Sequence, residues 1–520
     1  MRPNLRLIAI SLAAVTGAFA QTRTITVDTG KIRGPRSQVF KECIGAGRAN
    51  EGLRADWQSQ LALVQKEIGF KYIRMHGLLH DDMGVYKEDR QGNPIYNWQY
   101  IDQLYDFLLS VRLKPFVELG FMPADLASGP NTVFWWKGNI TPPKSYQKWA
   151  DLIRALTRHF EERYGHDEVK TWYFEVWNEP DLKGGFWSAD LQEYLKLYKT
   201  TAEAIKSVSA DYRVGGPASA SPYAFETALV EYCAANHVPI DFVSTHSYGV
   251  KQGFFDDTGN RGTVLDTDPA AVSGRMIHSR DLLRGSKLPN LELHFTEWSS
   301  SYTPTDFVHD QYHQAAFILD KIKNTQDVVN SLSYWVFTDI FEEGGPRMTP
   351  FHGGFGLLNY QAIKKPAYYA YEFLNRLGAA ELANGDAASW VTSDSAGGIQ
   401  ALFWDFTPVA PPEGTNDQVF YKGDLPSKAK GKVRFEVAGV RDGTYSVNVF
   451  RTGYRVNDAY GTYLALGSPS QITPAQVEAI KRANDGSPSS SEIVKVSGGR
   501  FAREFDLREN DVFLVTLTRM

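Results

Sequence analysis

The sequence contains little cysteine, no marked excess of either charge and, after its N-terminus, no long hydrophobic run. Two cysteines, Cys43 and Cys233, in 520 residues exclude a disulfide-rich scaffold. We expect two buried thiols, with a single bridge as the alternative. The 55 basic residues against 60 acidic ones offer no basic surface for nucleic acid. No segment after residue 20 approaches the roughly 20 apolar residues of a membrane span. We therefore expect neither nucleic acid nor a membrane as a partner.

Motifs that bind nucleotides or metals are also missing. No GxGxxG or Walker-type loop opens any of the predicted helices, which argues against a nucleotide-binding fold. His80, Asp81 and Asp82 are consecutive residues, and such a run lacks a plausible coordination geometry. We expect no cofactor and no metal.

Residues 1–20 have the pattern of a signal peptide. Arg2 and Arg6 precede an apolar run, and Ala18 and Ala20 flank Phe19 as a small-x-small cleavage site. The sequence predicts cleavage after Ala20 and a secreted or periplasmic product. An uncleaved N-terminal anchor is the alternative, although the apolar run is short for one.

Strand-like runs alternate with amphipathic segments of helical period between residues 39 and 377. The predicted strands are residues 39–44, 72–76, 115–119, 171–177, 213–215, 242–246, 291–296 and 333–337. Eight such units favour a (β/α)8 TIM barrel over an open, doubly wound sheet. The fold class is therefore α/β, with a barrel over residues 39–377.

After residue 378 the sequence pattern changes to short runs that alternate apolar and polar residues, as in strands, separated by Gly, Asn, Asp and Pro turns. This pattern predicts an accessory β-sandwich domain over residues 378–520. Residues 21–38 contain an alternating strand that comes too early for the barrel, and we expect it to join that sandwich.

Two glutamates follow predicted barrel strands, where barrel enzymes place their catalytic groups. Glu179 follows the fourth strand and Glu297 follows the seventh. Glycoside hydrolysis needs one protonated carboxyl group for the leaving oxygen and one carboxylate for the sugar. If the two groups lie within about 5 to 5.5 Å, no water fits between them and the carboxylate acts as a nucleophile. Helix capping is the alternative role for each glutamate alone.

The sequence around these glutamates resembles glycoside hydrolase family thirty-nine. The resemblance rests on FEVWNEPDL at residues 174–182 and FTEW at 295–298, together with RMHGLL at 74–79, THSYG at 245–249, FTDIFEE at 337–343 and FHGGFGL at 351–357. It implies that Glu179 is the acid/base and Glu297 the nucleophile. His76 and Glu343 resemble residues of the family that bind ring hydroxyls, although the adjacent Glu342 leaves open which carboxylate faces the pocket.

Other residues near the predicted strand ends are candidates for substrate binding. Asn178 can hydrogen-bond the sugar 2-hydroxyl, and Trp335 can stack against the sugar, with a turn and core packing as the respective alternatives. His246 and Tyr248 lie two residues apart on one strand, so both side chains point into the mouth. Tyr248 can orient Glu297 and His246 can contact a sugar hydroxyl, with core packing as the alternative for each.

Residues deeper in the predicted strands suit a supporting role. We expect Arg74 and Glu175 to form a buried ion pair or to orient Glu297. Glu118 ends the third strand and is a pocket candidate without an assigned role.

The resemblance favours the xylosidase branch of the family, because Trp298 follows the nucleophile and VNDAY at residues 456–460 is similar to a segment of bacterial xylosidases. It implies a substrate with xylose at the non-reducing end of a β-1,4-xylo-oligosaccharide. An α-L-arabinosidase or another retaining exo-glycosidase is the alternative within the family. A non-catalytic carbohydrate-binding barrel and a metal-dependent barrel hydrolase are the alternatives from other classes. The oligomeric state is not predicted.

Overall fold

A computed structural model describes residues 22–221, 223–255, 261–412 and 417–520. The predicted signal peptide, residues 1–20, lies outside these ranges. Within them, no helix is both long enough and apolar enough to cross a membrane. Both cysteines in the described chain, Cys43 and Cys233, are buried and free, so the structure has two buried thiols rather than a bridge.

Eight parallel strands form a closed barrel, which confirms the predicted fold class. In chain order the barrel strands are Cys43–Arg48, Tyr72–His76, Lys114–Leu119, Tyr173–Val176, Arg213–Ser219, Phe242–Tyr248, Glu292–Ser299 and Ser331–Tyr334. Nearly all residues in them are buried, as expected for parallel strands covered by helices on the outside. The strands' carboxyl ends meet at one mouth, where the candidate site lies.

Helices surround the barrel. They are Ala55–Glu67, Gln99–Ser110, Tyr146–Tyr164, Leu191–Lys206, Ala224–Asn236, Ala271–Arg284, His313–Thr325 and Pro366–Asn375, with a short helix His166–Val169. The helix Tyr146–Tyr164 shows why they form: the Ser145 hydroxyl accepts from the Lys148 N–H at its start, and Trp149, Ile153 and Phe160 are buried along one face. N-capping and a single apolar stripe together specify a surface helix.

The first barrel strand was predicted at the wrong position. Val39–Lys41 is a short 3-10 helix, and the strand is Cys43–Arg48. The apolar run ends before Gly45 and so gave no sign that the strand continues through it. Glycine is required there, because a Cβ at Gly45 would lie 2.5 Å from a ring carbon of Trp335.

Two sheets form the C-terminal β-domain around a shared apolar core. The seven-stranded sheet has the order Ile32–Pro35, Ala380–Leu382, Ser389–Ser393, Ile399–Trp404, Val512–Arg519, Gly443–Thr452 and Ser490–Val496. The three-stranded sheet contains Arg23–Asp28, Ala429–Ala438 and Arg500–Arg508. Strand Arg23–Asp28 pairs in parallel with Ala429–Ala438, so the start of the described chain lies in the C-terminal β-domain.

Smaller elements complete the fold. Helices Ala459–Ala465 and Pro474–Ala483 of the C-terminal domain pack on Phe351 and Ile363 of the barrel. A short helix covers Asp417–Phe420. Three antiparallel pairs lie in barrel loops: Tyr86–Glu88 with Pro94–Tyr96, Thr132–Val133 with Gly138–Asn139, and Val250–Phe255 with Arg261–Leu265.

Candidate active site

Glu179 and Glu297 meet at the mouth of the barrel. Glu179 lies three residues beyond the fourth barrel strand, and its N–H donates to the carbonyl of Ala218 over 2.8 Å. Glu297 lies within the seventh strand, Glu292–Ser299. One carboxylate oxygen from each and one ring nitrogen of His246 all lie within 4.8 Å of one another. Two carboxyl groups from distant parts of the chain therefore face a single small volume.

Glu297 has the partners of an anion. The Arg74 Nη1 donates to its Oε1 over 2.6 Å, and the Tyr248 hydroxyl donates to its Oε2 over 2.6 Å. Burial raises the pKa of Glu297, while Arg74, His76 and the Tyr248 hydrogen bond oppose that rise. Charge-assisted hydrogen bonds of this kind stabilise the ionised form.

Glu179 has the surroundings of a protonated acid. Burial, followed by the negative charge of Glu297, raises the pKa of Glu179 well above its ordinary value. Its close partner is His246, whose Nδ1 lies 2.8 Å from Oε1. Burial and the nearby Arg74 lower the pKa of His246 well below its usual range, so this ring is neutral and brings no cation to Glu179. Of the two carboxyl groups, Glu179 therefore keeps the proton and Glu297 carries the charge.

Tyr248→Phe is expected to lower kcat/KM about 10- to 100-fold, because a hydrogen bond to a charged group contributes about 1.5–3 kcal/mol. The variant should also shift the acidic limb of the pH profile upward by about one unit, since the lost hydroxyl no longer favours ionised Glu297. The measurement is kcat/KM against pH, with Tyr100→Phe on an outer helix as the matched control. An unchanged acidic limb would contradict this role of Tyr248.

Arg74 organises the floor of the site. Its Nε donates to Glu175 over 2.8 Å, and its Nη2 lies 2.9 Å from Glu118. The same nitrogen donates to the Asn178 Oδ1 over 2.7 Å. The Asn178 Nδ2 is buried and has no partner among the described residues. The structure thus fixes this amide by its oxygen and leaves its nitrogen able to donate to a ligand.

Glu118 supports the site from behind. Its Oε2 lies 2.6 Å from the His76 Nδ1, and Glu118 is not among the described residues that line the cleft. This contact holds the other ring nitrogen of His76 3.5 Å from Glu297 and 3.6 Å from Glu343. His76 therefore presents one nitrogen to the cleft.

The structure distinguishes the two adjacent carboxylates after the eighth strand. Glu342 pairs with Arg48 over 3.2 Å and with Arg54 over 2.8 Å, whereas Glu343 lines the cleft. Burial and the charge of Glu297 raise the pKa of Glu343 well above its ordinary value. Glu343 is thus the carboxyl group of this pair that can contact a ligand.

The cleft has a volume of about 480 Å³. The predicted site residues among its lining are His76, Asn178, Glu179, Tyr248, Glu297, Trp335 and Glu343. The centroid of the Trp335 ring lies 4.8 Å from the centroid of the His76 ring. His246 is fully buried and contacts Glu179 instead of lining the cleft, so the structure places it behind the acid.

Sequence reasoning missed several residues that line the cleft: Leu182, Phe186, Ala220, Ser221, Arg261, Tyr302 and Phe355. None of them ends a predicted strand. Leu182 lies in the motif FEVWNEPDL and Phe355 in the motif FHGGFGL, so a local signal pointed toward these two.

Glu179, His246 and Glu297 could offer three ligand atoms to a metal ion. The Arg74 guanidinium lies 2.6 Å from Glu297 and already supplies a positive charge there. A cation at this point would be repelled by Arg74, so the arrangement suits acid–base chemistry better than metal binding.

Comparisons with known proteins agree with this chemistry. The family model described as glycosyl hydrolases family 39 matches residues 23–499. A β-xylosidase of Geobacillus stearothermophilus is 45% identical over 371 residues, which are 70% of this chain and 73% of that protein. The crystal structure of a GH39 enzyme from Xanthomonas axonopodis pv. citri is 42% identical with a TM-score of 0.93, and covers 96% of this chain and 98% of its own. That of a monomeric β-xylosidase from Caulobacter crescentus CB15 is 39% identical with a TM-score of 0.92, covering 96% and 100%.

Proposed function

Because this chain belongs to glycosyl hydrolase family 39, we propose that it releases xylose from the non-reducing end of β-1,4-xylo-oligosaccharides with retention of configuration. The observation that carries the proposal is the pair of carboxyl groups, whose oxygens approach within 4.8 Å. A water molecule needs a wider gap between the two groups, as in inverting enzymes. The separation therefore favours direct attack by a carboxylate on the sugar.

In the first step, Glu179 donates its proton to the glycosidic oxygen while Glu297 attacks C1. The C1–O bond to the leaving sugar breaks, and a xylosyl ester of Glu297 forms. Arg74 and Tyr248 hold both oxygens of Glu297 by hydrogen bonds of 2.6 Å. They fix the direction of the attacking carboxylate and keep it ionised until the bond forms.

In the second step, Glu179 acts as the base. Esterified Glu297 carries no charge, so one cause of the raised pKa of Glu179 disappears. Glu179, ionised after the first step, accepts a proton from water, which attacks C1 and frees Glu297. Two displacements at C1 restore the original configuration.

A wall at one end of the cleft supports removal of terminal sugars. The Trp135 N–H donates to the carbonyl of Glu343 over 2.7 Å, and a Cβ at Gly345 would lie 3.3 Å from the Trp135 ring. The loop after the third strand thus joins the loop after the eighth strand beside Glu343. A junction on the Glu343 side of the cleft supports a terminal sugar as its occupant.

Xylose as that sugar is supported by the two β-xylosidases to which the chain is similar. Xylose has no C6 group, and so it places no demand on the pocket for an additional polar or charged partner.

The proposal is tested by hydrolysis of 4-nitrophenyl β-xyloside beside the α-L-arabinoside and β-glucoside, together with xylotriose. We expect the xyloside to have the highest kcat/KM, by at least about tenfold, since one substituent in a closed pocket is worth about 1–3 kcal/mol. Xylotriose should give xylose and xylobiose, and NMR of the first product should show the β-anomer. An α-anomer would refute retention, and equal rates on the glucoside would refute the xylose assignment.

A further inference from the structure

One guanidinium lines the cleft at its exposed rim. Arg261 is exposed and begins the strand Arg261–Leu265 of the hairpin after the sixth barrel strand. Among the described residues it forms no ion pair within 4.0 Å, in contrast to Arg48 and Arg54, which both pair with Glu342. A cation that has no acidic partner in the described part of the chain is available to a ligand at the entrance to the cleft.

Tyr302 lies beside Arg261 and presents an aromatic surface to the same cleft. Its side chain is 48% exposed, and its ring centroid lies 6.2 Å from that of Tyr248, the residue that holds Glu297. Burial raises the pKa of Tyr302, and the positive charge of Arg261 opposes that rise. Both side chains line the same cleft, so the phenol and the guanidinium can act on one bound group.

The hairpin that carries Arg261 is fixed to the barrel. The Thr263 hydroxyl donates to the buried Asp306 Oδ2 over 2.8 Å. A Cβ at Gly253 on the opposite strand would lie 2.6 Å from the Tyr302 hydroxyl, so glycine allows the close approach of hairpin and ring. Arg261 and Tyr302 are thus held in place before any ligand binds, which reduces the entropic cost of binding.

The charges of the cleft restrict what this rim can attract. Glu179, Glu297 and Glu343 bring three carboxyl groups to the inner part of the cleft. Ionised Glu297 would repel an acidic sugar bound there, whereas at the rim that sugar would meet Arg261. The leaving group departs from the side of Glu179, where Leu182 is 39% exposed and also lines the cleft. Glu179 and Leu182 line the same cleft as Arg261, and we therefore place the sugar that follows the scissile bond at the rim.

We propose that Arg261 and Tyr302 form an aglycone subsite for a sugar bearing a carboxylate, so that the preferred substrates are xylo-oligosaccharides with a uronic acid substituent next to the scissile linkage. This inference rests on the xylosidase activity proposed above. Arg261 donates to the carboxylate as a fork, and the sugar ring packs on Tyr302.

The test compares kcat/KM for xylobiose with that for a xylobiose carrying one uronic acid on its reducing-end sugar. We expect the acidic substrate to be favoured about two- to fivefold, as a partly exposed charge pair allows, and the preference to fall in 0.5 M NaCl through screening. Arg261→Met should remove the preference, and Arg261→Lys should restore part of it. Arg284→Met is the matched control and should keep the preference. The Arg284 side chain lies on an outer helix and is 63% exposed.

The outcomes separate this inference from the activity on which it rests. If the wild type cleaves xylobiose but disfavours the acidic substrate, the subsite is wrong and the xylosidase assignment stands. If Arg261→Met folds, as judged by its Tm, and retains the preference, Arg261 is not its source. If neither xylobiose nor 4-nitrophenyl β-xyloside is cleaved, the proposed function itself fails.

Discussion

Glu179→Gln is expected to lower kcat/KM for xylobiose about 10³-fold, because general acid catalysis contributes about 10²- to 10⁴-fold. The loss should be smaller in the first step for 4-nitrophenyl β-xyloside, since 4-nitrophenolate leaves with little help from a proton. The basic limb of the pH profile of kcat/KM should disappear, because in the wild type it reports loss of the Glu179 proton. Steady-state and pre-steady-state rates on both substrates measure these effects.

Glu203→Gln is the matched control for this change. Glu203 is 56% exposed on an outer helix and pairs with Lys199 over 3.8 Å, so its substitution should leave both rates unchanged. If Glu179→Gln retained the basic limb with its original midpoint, another group would be the acid.

Glu297→Gln is expected to have the larger effect, a fall in kcat of about 10⁵- to 10⁶-fold, as found when a covalent nucleophile is removed. Unlike Glu179→Gln, it should be equally severe with a good leaving group, because bond formation at C1 is lost. Arg74 keeps Glu175 and Glu118 as partners, so the folded state should survive. Single-turnover rates measure the loss of activity, and thermal unfolding measures whether the folded state survives.

Azide distinguishes the two glutamates by the configuration of the product. In Glu297→Ala, azide occupies the position of the missing carboxylate, and the product should be the α-xylosyl azide. In Glu179→Ala, azide attacks the xylosyl ester from the opposite side, and the product should be the β-xylosyl azide. If both variants gave the same anomer, the two roles assigned here would be wrong.

Much of the fold is readable from the sequence because the barrel repeats a single local pattern. Eight strand-and-helix units differ in detail but share their periodicities, and the structure confirms the resulting barrel. The misplaced first strand shows the limit of this reasoning. Whether Gly45 continues a strand depends on the Trp335 ring that approaches it, and this contact joins residues almost 300 positions apart.

The residues of the candidate site likewise include some that the sequence predicts and others that depend on tertiary contacts. Glu179 and Glu297 are predictable, because each follows a strand predicted from the sequence and belongs to a dense local motif. Arg261 and Tyr302 lie in loops whose paths are set by tertiary contacts, such as that between Thr263 and Asp306. The choice between Glu342 and Glu343 depends on Arg48 and Arg54, which no spacing argument connects to them.

The parallel pairing of Arg23–Asp28 with Ala429–Ala438 has a consequence for biosynthesis. The ribosome delivers one partner before the barrel and the other only after the whole barrel has been made. Throughout that interval the early strand presents unpaired backbone groups, a template for association with other chains. We therefore expect a chaperone that binds the nascent polypeptide to keep residues 23–28 from pairing with other chains until the strand Ala429–Ala438 has been made.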